Sequence, residues 1–238
     1  MRSSRAIAAA LAAGLLYILP ASRAGAESTE EAVDRVTKSA LALDAHRQRG
    51  AALYAQTCAK CHGSKGYGDP SRLIPALAGQ RFAYLVRQLA NFAGDERDSA
   101  AMHRIVAQVE LRDPQAWIDL AAFLNAAPPG HLPATGHSLH LVRGQALFLE
   151  QCASCHRADA GGDDAGFVPS LRNQHYVYLA AQISRLGDGA RHNVDENLVR
   201  FLGGLEPADV DALADYLSRL RGRGDAHSRM RPDGVVVD

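Results

Sequence analysis

Four cysteines, Cys58, Cys61, Cys152 and Cys155, fall in two tight pairs, and each pair is followed at once by a histidine. The two segments read Cys58-Ala-Lys-Cys61-His62 and Cys152-Ala-Ser-Cys155-His156. Two thiols separated by two residues can reach the two vinyl groups on one edge of a porphyrin. The adjacent histidine is then held under the ring, where its imidazole meets the iron. The spacing therefore predicts two covalently bound haem c groups, with His62 and His156 as proximal metal ligands.

Three other chemistries use paired cysteines, and each fits less well. Disulfides within the pairs would close very short loops and leave both histidines unexplained. A four-cysteine zinc site needs its two knuckles brought together, yet 90 residues lie between Cys61 and Cys152, and the sequence around them duplicates as well. No zinc is expected. A thioredoxin-like motif wants a preceding strand, whereas the residues before both motifs have a helical pattern. With all four thiols assigned, no cysteine–histidine nucleophile remains, and phosphate-binding glycine motifs are absent.

The elements that must position these residues also come in two copies. A shift of 94 residues aligns Gly50, Leu53 and Tyr54 with Gly144, Leu147 and Phe148. The same shift aligns Pro75, Leu77, Gln80, Tyr84, Leu85 and Gln88 with Pro169, Leu171, Gln174, Tyr178, Leu179 and Gln182. Residues 127–136 are rich in Pro and Gly and read as a linker between a domain at 27–126 and another at 137–222, with a loose tail at 223–238. Each repeat reads as helix, cysteine motif, loop, helix, loop, helix. Asp113 and Pro114 predict a capped start for a helix whose apolar face is Trp117, Leu120, Ala121 and Leu124. Pro207 predicts the same for Val210, Leu213, Ala214, Leu217 and Leu220. Glu27 to His46 lie outside the repeat and suggest an extra helix, continuous with the one entering the first motif. Strand signals are nearly absent, so the fold class is all-α.

Composition bounds the rest. Charged residues are 22% and apolar ones 47%, as in a globular protein. Aromatics are only 6%, so two small cores need a buried macrocycle to fill them. Arg2 and Arg5 precede an apolar run from Ala6 to Leu19, and Ala24-Gly25-Ala26 forms a cleavage site. Residues 1–26 are therefore expected to be a signal peptide cleaved after Ala26, which places the protein in the periplasm. Losing Arg2, Arg5 and Arg23 turns a formally neutral chain acidic. No basic stripe survives, and no nucleic-acid partner is expected.

The two motifs, together with Pro75-Ala-Leu77-Ala-Gly79-Gln80, Tyr84-Leu85 and Gln88-Leu89, resemble the dihaem cytochrome c4 family, two class I cytochrome c domains in tandem. The resemblance covers roughly Gly50 to Leu220, and the second copy of the pattern is looser. It implies a carrier between membrane-bound or periplasmic redox proteins. It also implies that the Pro75 and Pro169 carbonyls accept the Nδ1–H of the proximal histidines, and that Met102, placed in a loop before the last helix of repeat one, is the distal ligand of the first iron. Repeat two departs from this: Glu196 stands opposite Met102. The sixth ligand there is left between His192, Met230 and an open position. An open site would favour the rival functions, a haem enzyme acting on peroxide, nitric oxide or sulfur compounds, a gas-binding protein, or a subunit of a larger oxidoreductase. His175 is expected to pack against or cap the helix that follows it.

Overall fold

A computed structural model describes residues 27–130, 134–137, 139–191 and 194–221. The expected signal peptide, three linker residues, His192, Met230 and the tail lie outside them.

The first half runs α1 (Thr29–Leu41), α2 (Arg47–Thr57), α3 (Ala59–His62), α4 (Phe82–Ala93), α5 (Ala100–Val106) and α6 (Pro114–Ala126). The second runs α7 (Leu141–Leu147), α8 (Ala153–His156), α9 (Tyr176–Gly187), α10 (Glu196–Gly203) and α11 (Pro207–Ser218). Between α7 and α8 the chain widens into a π-type turn at Phe148–Cys152. Isolated bridges are the only β pairing among the described residues, so the fold is all-α, as expected.

Helix starts follow local chemistry. The Asp113 carboxylate accepts from the Gln115 amide at 2.9 Å, and Pro114 fills a first-turn position that needs no donor. Pro207 does the same for α11. The apolar faces expected on α6 and α11 are buried, except that Val210 is only half-buried.

Each half has its own core. One gathers around Tyr54, Val86, Leu111, Ile118 and Leu120; the other gathers around Phe148, Leu213, Ala214 and Leu217. In both, the helix leading to the cysteine motif crosses the last helix at a glycine. A Cβ on Gly50 would stand 1.9 Å from the Asp119 carbonyl oxygen, and one on Gly144 would stand 2.0 Å from that of Ala212. Beside each crossing lies one aromatic pair. Tyr54 meets Phe123 with ring centroids 5.2 Å apart, and Phe148 meets Tyr216 at 5.8 Å, so the hydroxyl changes partner between repeats.

Two expectations need correction. α1 is not continuous with α2, because the helix stops at Leu41 and residues 42–46 are non-helical before α2 starts at Arg47. α1 packs on α4 and α6 through Val33, Thr37 and Ala40, while α2 must cross α6. The buried Asp119 of α6 fixes the second start, accepting from the His46 amide at 2.7 Å, from Gln115 at 3.0 Å and from the Arg49 guanidinium. In addition, the segment between α4 and α6 is not a loop. Ser99 caps a short helix, α5, and Met102 lies in its first turn. α10 is its counterpart in the second half, capped by Asp195.

Candidate haem sites

In the first half, α2 ends at Thr57 and α3 carries Ala59 to His62, so Cys58, Cys61 and His62 share one turn of chain. His62 is buried, and its Nδ1 lies 3.1 Å from the Pro75 carbonyl oxygen. A carbonyl only accepts, so Nδ1 carries the hydrogen and Nε2 keeps a free lone pair. The second half repeats this: the His156 Nδ1 lies 3.1 Å from the Pro169 carbonyl. Burial pushes both imidazole pKa values down, with the carbonyl bond opposing it in part. Both rings are thereby held neutral, which is the form that binds a metal. The donor set of each half, two thiols and one such imidazole, fits a haem c.

One loop design holds each proline in place. The Gly68 amide donates to the His62 carbonyl at 2.9 Å, and Gly162 donates to His156 at 3.0 Å. Asp69 and Ile74 then bond reciprocally at 2.9 Å, and Asp163 and Val168 do so at 2.9 and 2.8 Å, closing the turn that returns to the proline. Gly68 and Gly162 have φ of 74° and 68° and sit against the proline backbone. The repeats differ just after the histidine. Gly63 has φ 77° and ψ 156°, and Arg157 takes nearly the same angles, 68° and 154°.

The first thiol of each pair, Cys58 and Cys152, is not poised for nucleophilic chemistry. Burial pushes the Cys58 thiol up, and it pushes Cys152 up to about 11, so both are protonated at neutral pH. Met102 lies on a different element, half-buried in α5. At the matching position Glu196 is exposed in the first turn of α10. His192 and Met230 fall outside the described residues.

The two halves meet through contacts that the 94-residue shift exchanges. The Gln80 side chain donates to the Ser170 carbonyl at 2.9 Å and accepts from its amide at 2.7 Å. Gln174 does the same to Ala76, the residue after Pro75, at 3.0 Å for both bonds. Arg81 Nε donates to the Gly161 carbonyl at 2.6 Å, and His175 Nε2 donates to that of Tyr67 at 2.7 Å. The Nδ1 of His175 accepts from the Ala134 amide, so its side chain packs into the interface rather than capping α9. The linker is pinned on both flanks. Gly130 lies against the Tyr67 ring, and the Gly136 amide donates to Asp215 at 2.9 Å.

Sequence reasoning passed over Arg97 and Arg191. They follow α4 and α9, pair as a short antiparallel bridge, and send both guanidinium groups into the same interface. Their separation is the repeat length, a signal that was present but carried no motif.

The cytochrome c family model matches residues 47–127 and again 141–221. The chain is 26% identical over 180 residues to a cytochrome c4 of Azotobacter vinelandii, covering 70% of this chain and 85% of that protein. It is 29% identical over 185 residues to a thiosulfate dehydrogenase electron acceptor of Stutzerimonas stutzeri, covering 74% and 84%. The crystal structure of reduced recombinant cytochrome c4 from Pseudomonas stutzeri superposes with a TM-score of 0.66 at 25% identity, covering 75% of this chain and all of that one.

Proposed function

The chain belongs to the cytochrome c family, two of its domains joined in the dihaem c4 arrangement, and from that premise we propose a periplasmic carrier passing single electrons between redox proteins. It is an electron-transfer protein with two covalently bound haem c groups. Each haem, when bound, supplies an iron that takes up and releases one electron.

Cys58 and Cys61 anchor one haem and Cys152 and Cys155 the other. His62 and His156 bind the irons through Nε2, and Met102 completes the first. The units are 27–126 and 137–222. The observation that carries this reading is the histidine–proline contact, 3.1 Å in both halves, behind thiol pairs of identical spacing. The carbonyls fix each imidazole's tautomer and orientation and raise its basicity. Around them, the reciprocal interface holds the two sites in one arrangement, so electrons can pass between them without rearrangement of the chain.

Among the described residues no helix is long and apolar enough to cross a membrane. The charged start, the apolar run and Ala24-Gly25-Ala26 support export, with cleavage after Ala26. The partners are membrane-bound or periplasmic redox proteins, and the likeness to a thiosulfate dehydrogenase electron acceptor supports a dehydrogenase on the donor side.

A second reading, ligand binding or catalysis at the second haem, has one observation behind it: exposed Glu196 stands where the first half has Met102. Spectra of the reduced protein with and without carbon monoxide separate the two readings. The carrier reading expects the first haem to ignore carbon monoxide, and expects Met102→Ala to open it, abolish its methionine–iron charge-transfer band and lower its potential. Carbon monoxide binding at both haems of the unaltered protein would overturn it.

A further inference from the structure

The two halves differ in what covers α4 and α6 and their counterparts, α9 and α11. In the first half α1 lies on α4 and α6. Its Val33 and Ala40 share one core with Val86, Ala90, Leu111, Trp117 and Ile118, all of them buried. The approach is close: a Cβ on Gly94 would stand 2.5 Å from Val33 Cγ2. Among the described residues the second half has no counterpart of α1. The shift of 94 residues carries Val86, Ala90, Gly94 and Leu111 onto Ala180, Ser184, Asp188 and Leu205. A shift of 93, fixed by the helix starts at Pro114 and Pro207, carries Trp117 and Ile118 onto Val210 and Asp211. All six counterparts line a cleft of about 310 Å³ between α9, α10 and α11. Ala180, Leu205, Val210 and Asp211 are only half-buried, and Ser184 and Asp188 are exposed. The cleft thus takes the place that α1 fills in the other half.

Its charge is the reverse of that in the first half. There α4 offers Arg87, and α1 answers with Asp34. In α9 the place of Arg87 is taken by Ala181, while Asp188 and Asp211 bring two carboxylates to a lining that contains no base. The nearest base along α9, Arg185, is exposed and outside that lining. The Tyr176 hydroxyl donates to Asp211. Among the described residues no base pairs with Asp188. A second copy of this chain is a poor occupant, because its cleft carries the same two acids and its α1 carries Glu30, Glu31 and Asp34. Like charges brought together in this way repel.

We propose that this cleft docks an amphipathic helix of a partner protein, small and apolar along the entering face and basic where it passes Asp188 and Asp211. That such a pair of helices accepts a third is shown by α1, which buries Val33, Thr37 and Ala40 at spacings of four and three residues. Ala180, Leu205 and Val210 give the incoming helix an apolar floor, whose burial supplies the affinity. The two carboxylates select the sign of the partner and set its orientation. Asp188 stands where Gly94 receives Val33, so the occupant places a Lys or Arg there rather than a valine. No haem ligand lines the cleft, so docking is measured apart from the iron chemistry.

The probe is the Thr29–Leu41 segment as an end-capped peptide carrying Glu30→Lys, Glu31→Lys and Asp34→Lys, titrated into isotope-labelled full-length holoprotein. Backbone amide resonances of Ser184, Leu205 and Val210 should move, and those of Val86, Leu111 and Trp117, already covered by α1, should stay. The same peptide with its native acids should bind about tenfold more weakly or worse. Asp188→Lys should weaken binding of the basic peptide about fivefold. Ser184→Arg, which fills the cleft from an exposed position, should abolish the shifts; if it fails to fold, the surface variant Asp188→Lys still decides. Unmoved resonances, equal binding of the two peptides, or binding indifferent to Asp188→Lys would overturn the proposal. So would movement of the same amides on removing residues 222–238 with no peptide present, since the chain's own tail would then be the occupant. Movement driven by protein concentration alone would likewise overturn it, assigning the cleft to a second copy.

Discussion

Replacing Gly68 by alanine tests how the proximal histidine is held. Gly68 has φ 74°, and an L-residue in the left-handed region loses about 1–2 kcal/mol. The added Cβ would stand 2.4 Å from the Ile74 carbonyl oxygen, 2.5 Å from the Pro75 carbonyl carbon and 2.6 Å from its oxygen. These are backbone atoms, so no side chain can swing aside, and Pro75 must retreat by about half an ångström to reach even a tight contact. Overpacking of this kind costs roughly 1–3 kcal/mol, giving a total of about 2–5 kcal/mol in the first half. The retreat also stretches the 3.1 Å contact between His62 and Pro75 to a length at which it no longer counts as a hydrogen bond. An imidazole without that acceptor is less basic, so the first haem's potential should rise while the second stays put. Urea unfolding and potentiometry of the holoprotein measure the two effects. If Gly68→Ala leaves both stability and the first potential unchanged, the loop does not hold Pro75 as described.

Arg157 occupies angles suited to glycine, as Gly63 shows in the other repeat. Arg157→Gly should therefore stabilise the second half by about 1–3 kcal/mol, seen as a raised unfolding midpoint; a lowered midpoint would contradict the strain. Burial raises the carboxyl pKa of Asp119, but bonds from Arg49, His46 and Gln115 outweigh it and hold the value below normal. Its contribution to stability is therefore complete above about pH 4, the unfolded carboxyl range, and lost as pH falls through the lower folded value. Asp119→Asn should remove that acid-dependent component, and an acid profile identical to wild type would sink the assignment. Gln80→Ala and Gln174→Ala each strip two bonds from the backbone of the opposite half, and each should weaken the coupling between halves by about 1–3 kcal/mol. Calorimetry should show equal effects; loss from one variant alone would mean that the reciprocal bonds are not equivalent.

The parts of the molecule that sequence reasoning reached are those set by short-range rules. Covalent attachment demands the spacing of Cys58, Cys61 and His62, and a helix start demands residues such as Asp113 and Pro114. What escaped was decided by packing between distant segments. No glycine or proline marks the break after α1; it arises because α1 lies on α4 and α6 while Asp119 captures the start of α2. Met102 was expected in a loop because a helix as short as α5 has little periodicity, and its Ser99 cap becomes informative only beside a helix already seen. Arg97 and Arg191 are surrounded by Gln and Tyr rather than acids, so charge pairing could not point to them.

The reciprocal contacts of Gln80 with Ser170 and Gln174 with Ala76 are those of an isologous dimer whose subunits have become one chain. Tethering through residues 127–136 makes the association intramolecular, governed by the reach of the tether rather than by protein concentration. A true homodimer would impose one iron ligand set on both copies. Duplication and fusion lift that constraint: Met102 and Glu196 could diverge because neither takes part in the Gln80 and Gln174 pairing. Twofold symmetry is kept in the face that joins the halves, while the sites on either side of it are free to differ.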